Sequence, residues 1–290
     1  MCRESDFLCL WRLFRVSKVS QLKLIMYMLT SHPVLSKFPN RIAPWKHGLG
    51  RRGRGGNHDF FYSLADEANK KPGHEGSYAK MLFREAPKYD LQPREISGLT
   101  GNLFGAGSDT SSSTLITAVL AMRAFPETLL PAWEELDRVV GMRRSPTFDD
   151  EPNLPYIKAF VKEVFRWRSV AIIGGQPHAP IQDDYYNGWF IPKNAWIQGN
   201  VWAIHRNERD FPDPDRFNPY RFINGSADSR PFSGERGYMT FGWGRRVCSG
   251  QALAEQGTFI TVARLLWGFQ FDPALDEHGN VIPVDIFNYM

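Results

Sequence analysis

Cysteine is scarce in this chain. There are three in 290 residues, and Cys2 and Cys9 stand at the extreme start, far from Cys248. Three cysteines without paired spacing exclude a disulfide framework and point to a reducing compartment. Long apolar runs are missing too. The best candidate, Leu22 to Leu29, is short and carries Lys23, so no membrane-crossing helix is expected. Glu4 and Asp6 interrupt the first residues, and no small-residue cleavage site follows, which argues against a signal peptide. Neither sign of charge dominates. With 35 Lys and Arg against 31 Asp and Glu the net charge is +4, enough to permit an acidic partner but not to demand nucleic acid. No internal repeat occurs. What remains, 42% hydrophobic and 23% charged residues, has the composition of a globular protein large enough to bury a substantial core.

Along the chain, residues 1–34 give no boundary signal and are left unassigned. From Ser31 to Gly76, proline, glycine and basic residues predominate. Gly48 to Gly53 (GLGRRG) formally fits a dinucleotide fingerprint, but no strand precedes it and Arg51, Arg52 and Arg54 crowd the position where a helix should open. A mobile basic loop is the better expectation. The overlapping RGRGG (Arg52 to Gly56) is a single copy, weak support for RNA contact. Pro93 to Phe125 is predicted as one long helix, with Leu99, Leu103, Ala106, Thr110, Thr114 and Ala118 at helical spacing; its low charge predicts burial. PETLLPAWEELDRVVG predicts a second helix ending at Gly141, kinked by Pro131. LPYIKAFVKEVFRW predicts a third, beginning at Pro155. Strands are expected in VAIIGG, DYYNGWFIP and AWIQGNVWAI, with a hairpin turn at Asn187-Gly188. Gln251 to Trp267 is predicted as a helix burying Leu253, Phe259, Ile260, Ala263, Leu266 and Trp267.

The informative stretch is Phe241 to Gly250, FGWGRRVCSG. Cys248 stands just before a helix, whose N-terminus suits a negatively charged sulfur, as do Arg245 and Arg246. A catalytic nucleophile would want a nearby His and an oxyanion donor, and a zinc site a second Cys or His at short spacing. The local sequence supplies neither. Haem iron accepts one thiolate as its only protein ligand. That site accounts for the neighbours: Gly242 and Gly244 let backbone pass close to a flat ring, Phe241 keeps water away, Arg246 pairs with a propionate, and Gly250 leaves space where helix meets ring. The plain alternative is a buried structural cysteine in a glycine loop.

The pattern F-x-x-G-x-R-x-C-x-G resembles the haem-binding signature of the cytochrome P450 family, the haem-thiolate monooxygenases. Three further motifs resemble the family's in order. Ala106-Gly107-Ser108-Asp109-Thr110 resembles its oxygen-binding groove. Glu163 and Arg166 match its E-x-x-R pair. Pro219-Tyr220-Arg221-Phe222 is similar to its P-E-R-F element, with Tyr220 in place of Glu. The surrounding wording is most similar to the fungal secondary-metabolism branch.

The resemblance implies a mainly α fold with small β-sheets, present as a partial domain over residues 35–290 and truncated at both ends. It implies haem b with Cys248 as axial ligand and a structural triad of Glu163, Arg166 and Arg221. It further implies Thr110 and Asp109 handling oxygen and protons, Ala106 and Gly107 leaving room for them, and His178 as a propionate partner. Leu103, Phe104, Ile172 and Ile173 would face a lipophilic substrate. The implied activity is insertion of one atom of O2 into that substrate, with electrons from an NADPH-dependent reductase, at the cytosolic face of the endoplasmic reticulum membrane. The alternative function is a non-catalytic remnant that binds haem poorly or not at all. The early helices, an anchor and the last sheet are expected to lie outside this chain.

Overall fold

The computed structural model describes residues 54–223 and 238–287. The expected basic loop at Gly48 to Gly53 and the unassigned residues 1–34 lie outside these. The chain divides into two compact units, one ending at Phe104 and the other beginning at Gly105.

The first unit holds helices α1 (Arg54–Lys70) and α2 (Tyr78–Tyr89) and the opening turns of α3 (Pro93–Ala124). Helix begins at Arg54, within the stretch from Ser31 to Gly76 in which proline, glycine and basic residues predominate. After Gly56 the run NHDFFYSLADEANK contains neither proline nor glycine, and Ala65 finds an apolar seat against Leu82 and Ile96. The signal missed for α2 is Ser77, whose hydroxyl accepts the Lys80 amide as an N-cap. At the other end Asp90 takes a left-handed conformation and closes the helix. Glu95 caps α3 by accepting the Gln92 amide at 2.9 Å. Gly101 lets the Phe61 ring approach so closely that a Cβ there would sit 2.8 Å from it.

The second unit is built around α5 (Pro155–Trp167). Every residue of α5 is buried except Pro155, Lys158 and Lys162. Its apolar side chains, Phe160, Val164 and Trp167 foremost, share one core with Met122 of α3, Leu136 of α4 (Leu129–Val139) and Phe259 and Leu266 of α7 (Gln251–Gly268). Pro131 does not kink the predicted second helix. A 3₁₀ turn, Pro126–Thr128, precedes α4, so Pro131 falls in its first turn, where an amide has no intrahelical partner to lose. Gly141, at φ +68°, ends that segment as expected.

β1 (Asp184–Tyr186) and β2 (Trp189–Ile191) form the predicted antiparallel hairpin, with Asn187 and Gly188 both at positive φ as a type I′ turn requires. The other two strand expectations are corrected. VAIIGG is a loop, because Gly174 and Gly175 both take positive φ and turn the chain. AWIQGNVWAI contributes a single bridge, His178 to Ile197, and then the short helix α6 (Val201–His205), which the Asn200 side chain caps through the Ala203 amide. Two burial expectations also fail. Leu103 and Phe104 of α3 are 43% and 65% exposed, since low charge permits burial but does not supply a covering layer. Leu253 is 77% exposed because the apolar core meets α7 only from Thr258 onward.

The start of α5 is held by a carboxylate that sequence reading passed over. Buried Glu135 accepts the Tyr156 and Ile157 amides, one on each oxygen, both at 3.0 Å. These are two of the orphan donors every helix N-terminus carries. Glu135→Ala should cost about 1–3 kcal/mol in urea unfolding, since it strands buried amides. Glu135→Gln, which keeps one acceptor oxygen, should recover part of that loss.

Candidate functional site

The chain from Phe241 to Gly250 folds on itself through backbone bonds. The Gly242 amide donates to the Met239 carbonyl at 3.0 Å and Val247 to Gly244 at 3.1 Å. The Cys248 amide closes the loop on the Phe241 carbonyl at 2.9 Å. Gly242 and Gly244 sit at φ +74° and +66°, which few other residues tolerate. The sulfur of Cys248 is exposed, and the Cys248 carbonyl receives the Gln251 amide that begins α7. Cys248 is thus held at a helix N-terminus and is not the buried structural cysteine that was the plain alternative. A Cβ on Gly242 or Gly244 would meet nothing within 4 Å, and one on Gly250 would lie 3.9 Å from the sulfur. The loop's glycines therefore leave open space beside an accessible thiol. Among the described residues no group of three His, Cys, Asp or Glu gathers to hold a metal ion. A flat group bound through one sulfur fits this donor set.

The neighbours are distributed as follows. Arg246 is exposed. Phe241 is half-buried, its ring 5.0 Å from that of Phe165, so it anchors the loop to α5. The Trp243 indole lies flush on Gly199, where no Cβ could fit, and 6.0 Å from the His178 ring. His178 is exposed and fixed by paired backbone bonds to Ile197. Ile172 and Ile173 are exposed on the same loop. In α3, Ala106, Gly107, Asp109 and Thr110 are exposed, and the Thr110 hydroxyl donates to the Ala106 carbonyl at 2.6 Å. That back-bond is the helix-bending role open to a mid-helix threonine.

Glu163, Arg166 and Arg221 are brought together. Glu163 and Arg166 have no exposed side-chain surface and pair bidentately, Nε to Oε2 at 2.7 Å and Nη2 to Oε1 at 2.8 Å. Arg221 Nε reaches Oε1 at 3.3 Å, and the Asn218 amide reaches the same oxygen at 2.9 Å. Burial pulls the Arg221 pKa below its ordinary value, and Glu163 opposes that pull. Tyr220, in place of the usual Glu, is exposed and packs edge-on to Tyr156, so its identity leaves the triad untouched.

His205 was not singled out in the sequence, where a lone histidine before Arg206 carries no distinctive signal. It is buried, and its Nε2 accepts the Met239 amide at 2.8 Å. Its proton therefore sits on Nδ1, 3.1 Å from the Ser169 hydroxyl, which donates onward to the Phe165 carbonyl. Burial first, and the Arg166 charge second, push its pKa down to about 3.

The family model described as Cytochrome P450 matches residues 63–284. Cytochrome P450 monooxygenase 58 of Postia placenta is 36% identical over 260 residues, 88% of this chain and 49% of its own. Cytochrome P450 monooxygenase verL of Clonostachys rogersoniana is 45% identical over 228 residues, 77% of this chain and 42% of its own. A zebra fish cytochrome P450 solved with abiraterone is 29% identical, with TM-score 0.64 over 73% of this chain and 50% of that one. The chain spans about half the length of the curated relatives it matches.

His205 makes stability depend on pH with a definite sign. Unfolded, its imidazole takes a proton near pH 6.5; folded, only near 3. Between those values the unfolded state binds more protons, so stability falls as pH drops, with a limiting slope of about 1.4 kcal/mol per pH unit. Asp150, held well below the usual carboxylate range chiefly by Arg144, adds a loss only below pH 3.8. Urea midpoints between pH 6.5 and 4 should fall for the wild type and fall less steeply for His205→Gln. Equal slopes would contradict the assignment.

Proposed function

This chain belongs to the cytochrome P450 family, and we propose that it forms the cysteine-ligand half of a haem-thiolate monooxygenase, with Cys248 as axial ligand to haem b. The observation that carries this is the exposed sulfur in a backbone-closed loop flanked by glycines with open space beside them. When bound, haem supplies the redox chemistry that activates O2 so that one oxygen atom enters an organic substrate. The chain's own residues then have defined tasks. Gly242 and Gly244 admit the ring to the backbone, and Arg246 and His178 pair with its propionates. Thr110 and Asp109 handle protons at the oxygen-facing side. The Thr110 hydroxyl donates to the Ala106 carbonyl, so Oγ1 offers its lone pairs to a donor, and donation toward the oxygen side requires the hydroxyl to turn away from that carbonyl.

Ile172 and Ile173, in the second unit, expose apolar surface that suits a lipophilic substrate. An NADPH-dependent reductase as electron donor and a site at the endoplasmic reticulum membrane follow from the same proposal. Among the described residues no single helix is long and apolar enough to cross a membrane.

The test is the absorption spectrum of the reduced, carbon monoxide-treated protein. Wild type should show the thiolate-type band, and Cys248→Ser should lose it while keeping the far-ultraviolet circular dichroism of the fold. A band that survives in Cys248→Ser would refute the ligand assignment. No band in the wild type would mark the chain as a non-catalytic remnant.

A further inference from the structure

Two adjacent residues tether the cysteine loop's beginning, one to α6 and one to α5. The Met239 amide donates to the His205 ring, and the Thr240 hydroxyl donates to the Phe165 carbonyl at 2.7 Å. Met239 in turn sets the loop, because its carbonyl receives the Gly242 amide, and the Phe241 carbonyl two residues on receives the amide of Cys248 itself. His205 is held from the other side as well. Its own carbonyl accepts Arg166 Nη1 at 2.9 Å, and the remaining nitrogens of that guanidinium are spent on Glu163. The Phe211 ring stands edge-on to the imidazole, 5.9 Å away. One histidine therefore joins the buried ion cluster to the segment that carries the thiol, by its backbone on one side and its ring on the other.

We propose that His205 is a positioning residue for Cys248: its neutral ring, turned by Ser169, accepts the Met239 amide and so transmits the fixed position of the Glu163–Arg166 pair to the cysteine loop. The role requires an acceptor at the Nε2 position, which only the tautomer protonated on Nδ1 presents. It differs from core filling, because a side chain of similar bulk without that acceptor would take away the Met239 amide's partner. The sulfur's part as an iron ligand rests on the function proposed above. The mechanical link does not, since every bond in it belongs to the protein.

The experiment is amide hydrogen exchange of the whole chain, read by mass spectrometry on the peptide covering residues 238–248 and on peptides of α5. His205→Leu should speed exchange in the 238–248 peptide about tenfold, the factor that loss of one buried hydrogen bond of ordinary strength gives. The α5 peptides should stay protected. His205→Gln, whose Oε1 can take the place of Nε2, should restore most of the protection. Ser169→Ala, which frees the ring to turn and also removes the 3.0 Å contact of Ser169 with the Thr240 hydroxyl, should change exchange in the same direction as His205→Leu, and its failure to do so is the refuting result if that variant does not fold. Unchanged exchange at 238–248 in His205→Leu, or in Ser169→Ala where it stands in, overturns the proposal, as does equal loss in Gln and Leu accompanied by loss in α5. In parallel, the thiolate-type fraction of the reduced, carbon monoxide-bound spectrum should drop in His205→Leu and recover in His205→Gln. An exchange effect without any thiolate band in the wild type would leave the latch standing and remove the haem ligand instead.

Discussion

A carboxylate with no access to water needs several hydrogen bonds and a counter-charge, or its burial costs several kcal/mol. Glu163 has both. Its two oxygens receive Arg166 twice, Arg221 once and the Asn218 amide once. The satisfaction is collected from two separated parts of the chain, α5 and the turn from Asn218 to Phe222, so neither can move without exposing a charge. Arg166 then uses its third nitrogen, Nη1, on the His205 carbonyl, which draws in α6. The polar centre of the second unit is assembled around this one acid, and the apolar core of Phe160, Val164, Trp167 and Phe217 packs about it.

From that centre the order spreads in one direction, toward the cysteine. His205 and Phe165 take hold of Met239 and Thr240, Phe241 wedges its ring against Phe165, and two left-handed glycines return the chain so that the Cys248 amide meets the Phe241 carbonyl. The Trp243 indole presses on the backbone at Gly199, beside the loop that carries His178 and the two exposed isoleucines. A rigid scaffold thus holds an exposed sulfur at a fixed point, which is what the proposed ligand role requires. No bond within this path depends on an added group.

Much of this was legible in the amino-acid sequence, and what was not has physical causes. The bounds of α5 were readable because Pro155 starts it and its apolar face repeats through Ile157, Phe160, Val161 and Val164. The Asn-Gly turn specified its hairpin for the same local reason. The triad was readable only through its resemblance to a family, since Arg221 is far from Glu163 along the chain. Glu135 and His205 were passed over because their importance comes from what tertiary folding brings to them, two helix amides in one case and the Met239 amide in the other. The strand expected over AWIQGNVWAI failed where a local cap, Asn200, started the helix Val201–His205 within the apolar run. For Leu103, Phe104 and Leu253, apolar character was correctly seen, but burial is a property of neighbours and cannot be read from the residue itself.

The central claim is that Glu163 and Arg166 act as one buried unit on which the surrounding segments depend. A double-mutant cycle in urea unfolding, using Glu163→Leu, Arg166→Met and the pair together, tests it most directly. Glu163→Leu leaves Arg166 buried without a carboxylate, and Arg166→Met leaves Glu163 with Arg221 as its remaining counter-charge, so each should cost about 3–5 kcal/mol, while the double change removes both fully buried charges and should cost well under the sum. Single costs that add to within about 0.5 kcal/mol of the double would show two independent residues and contradict the account.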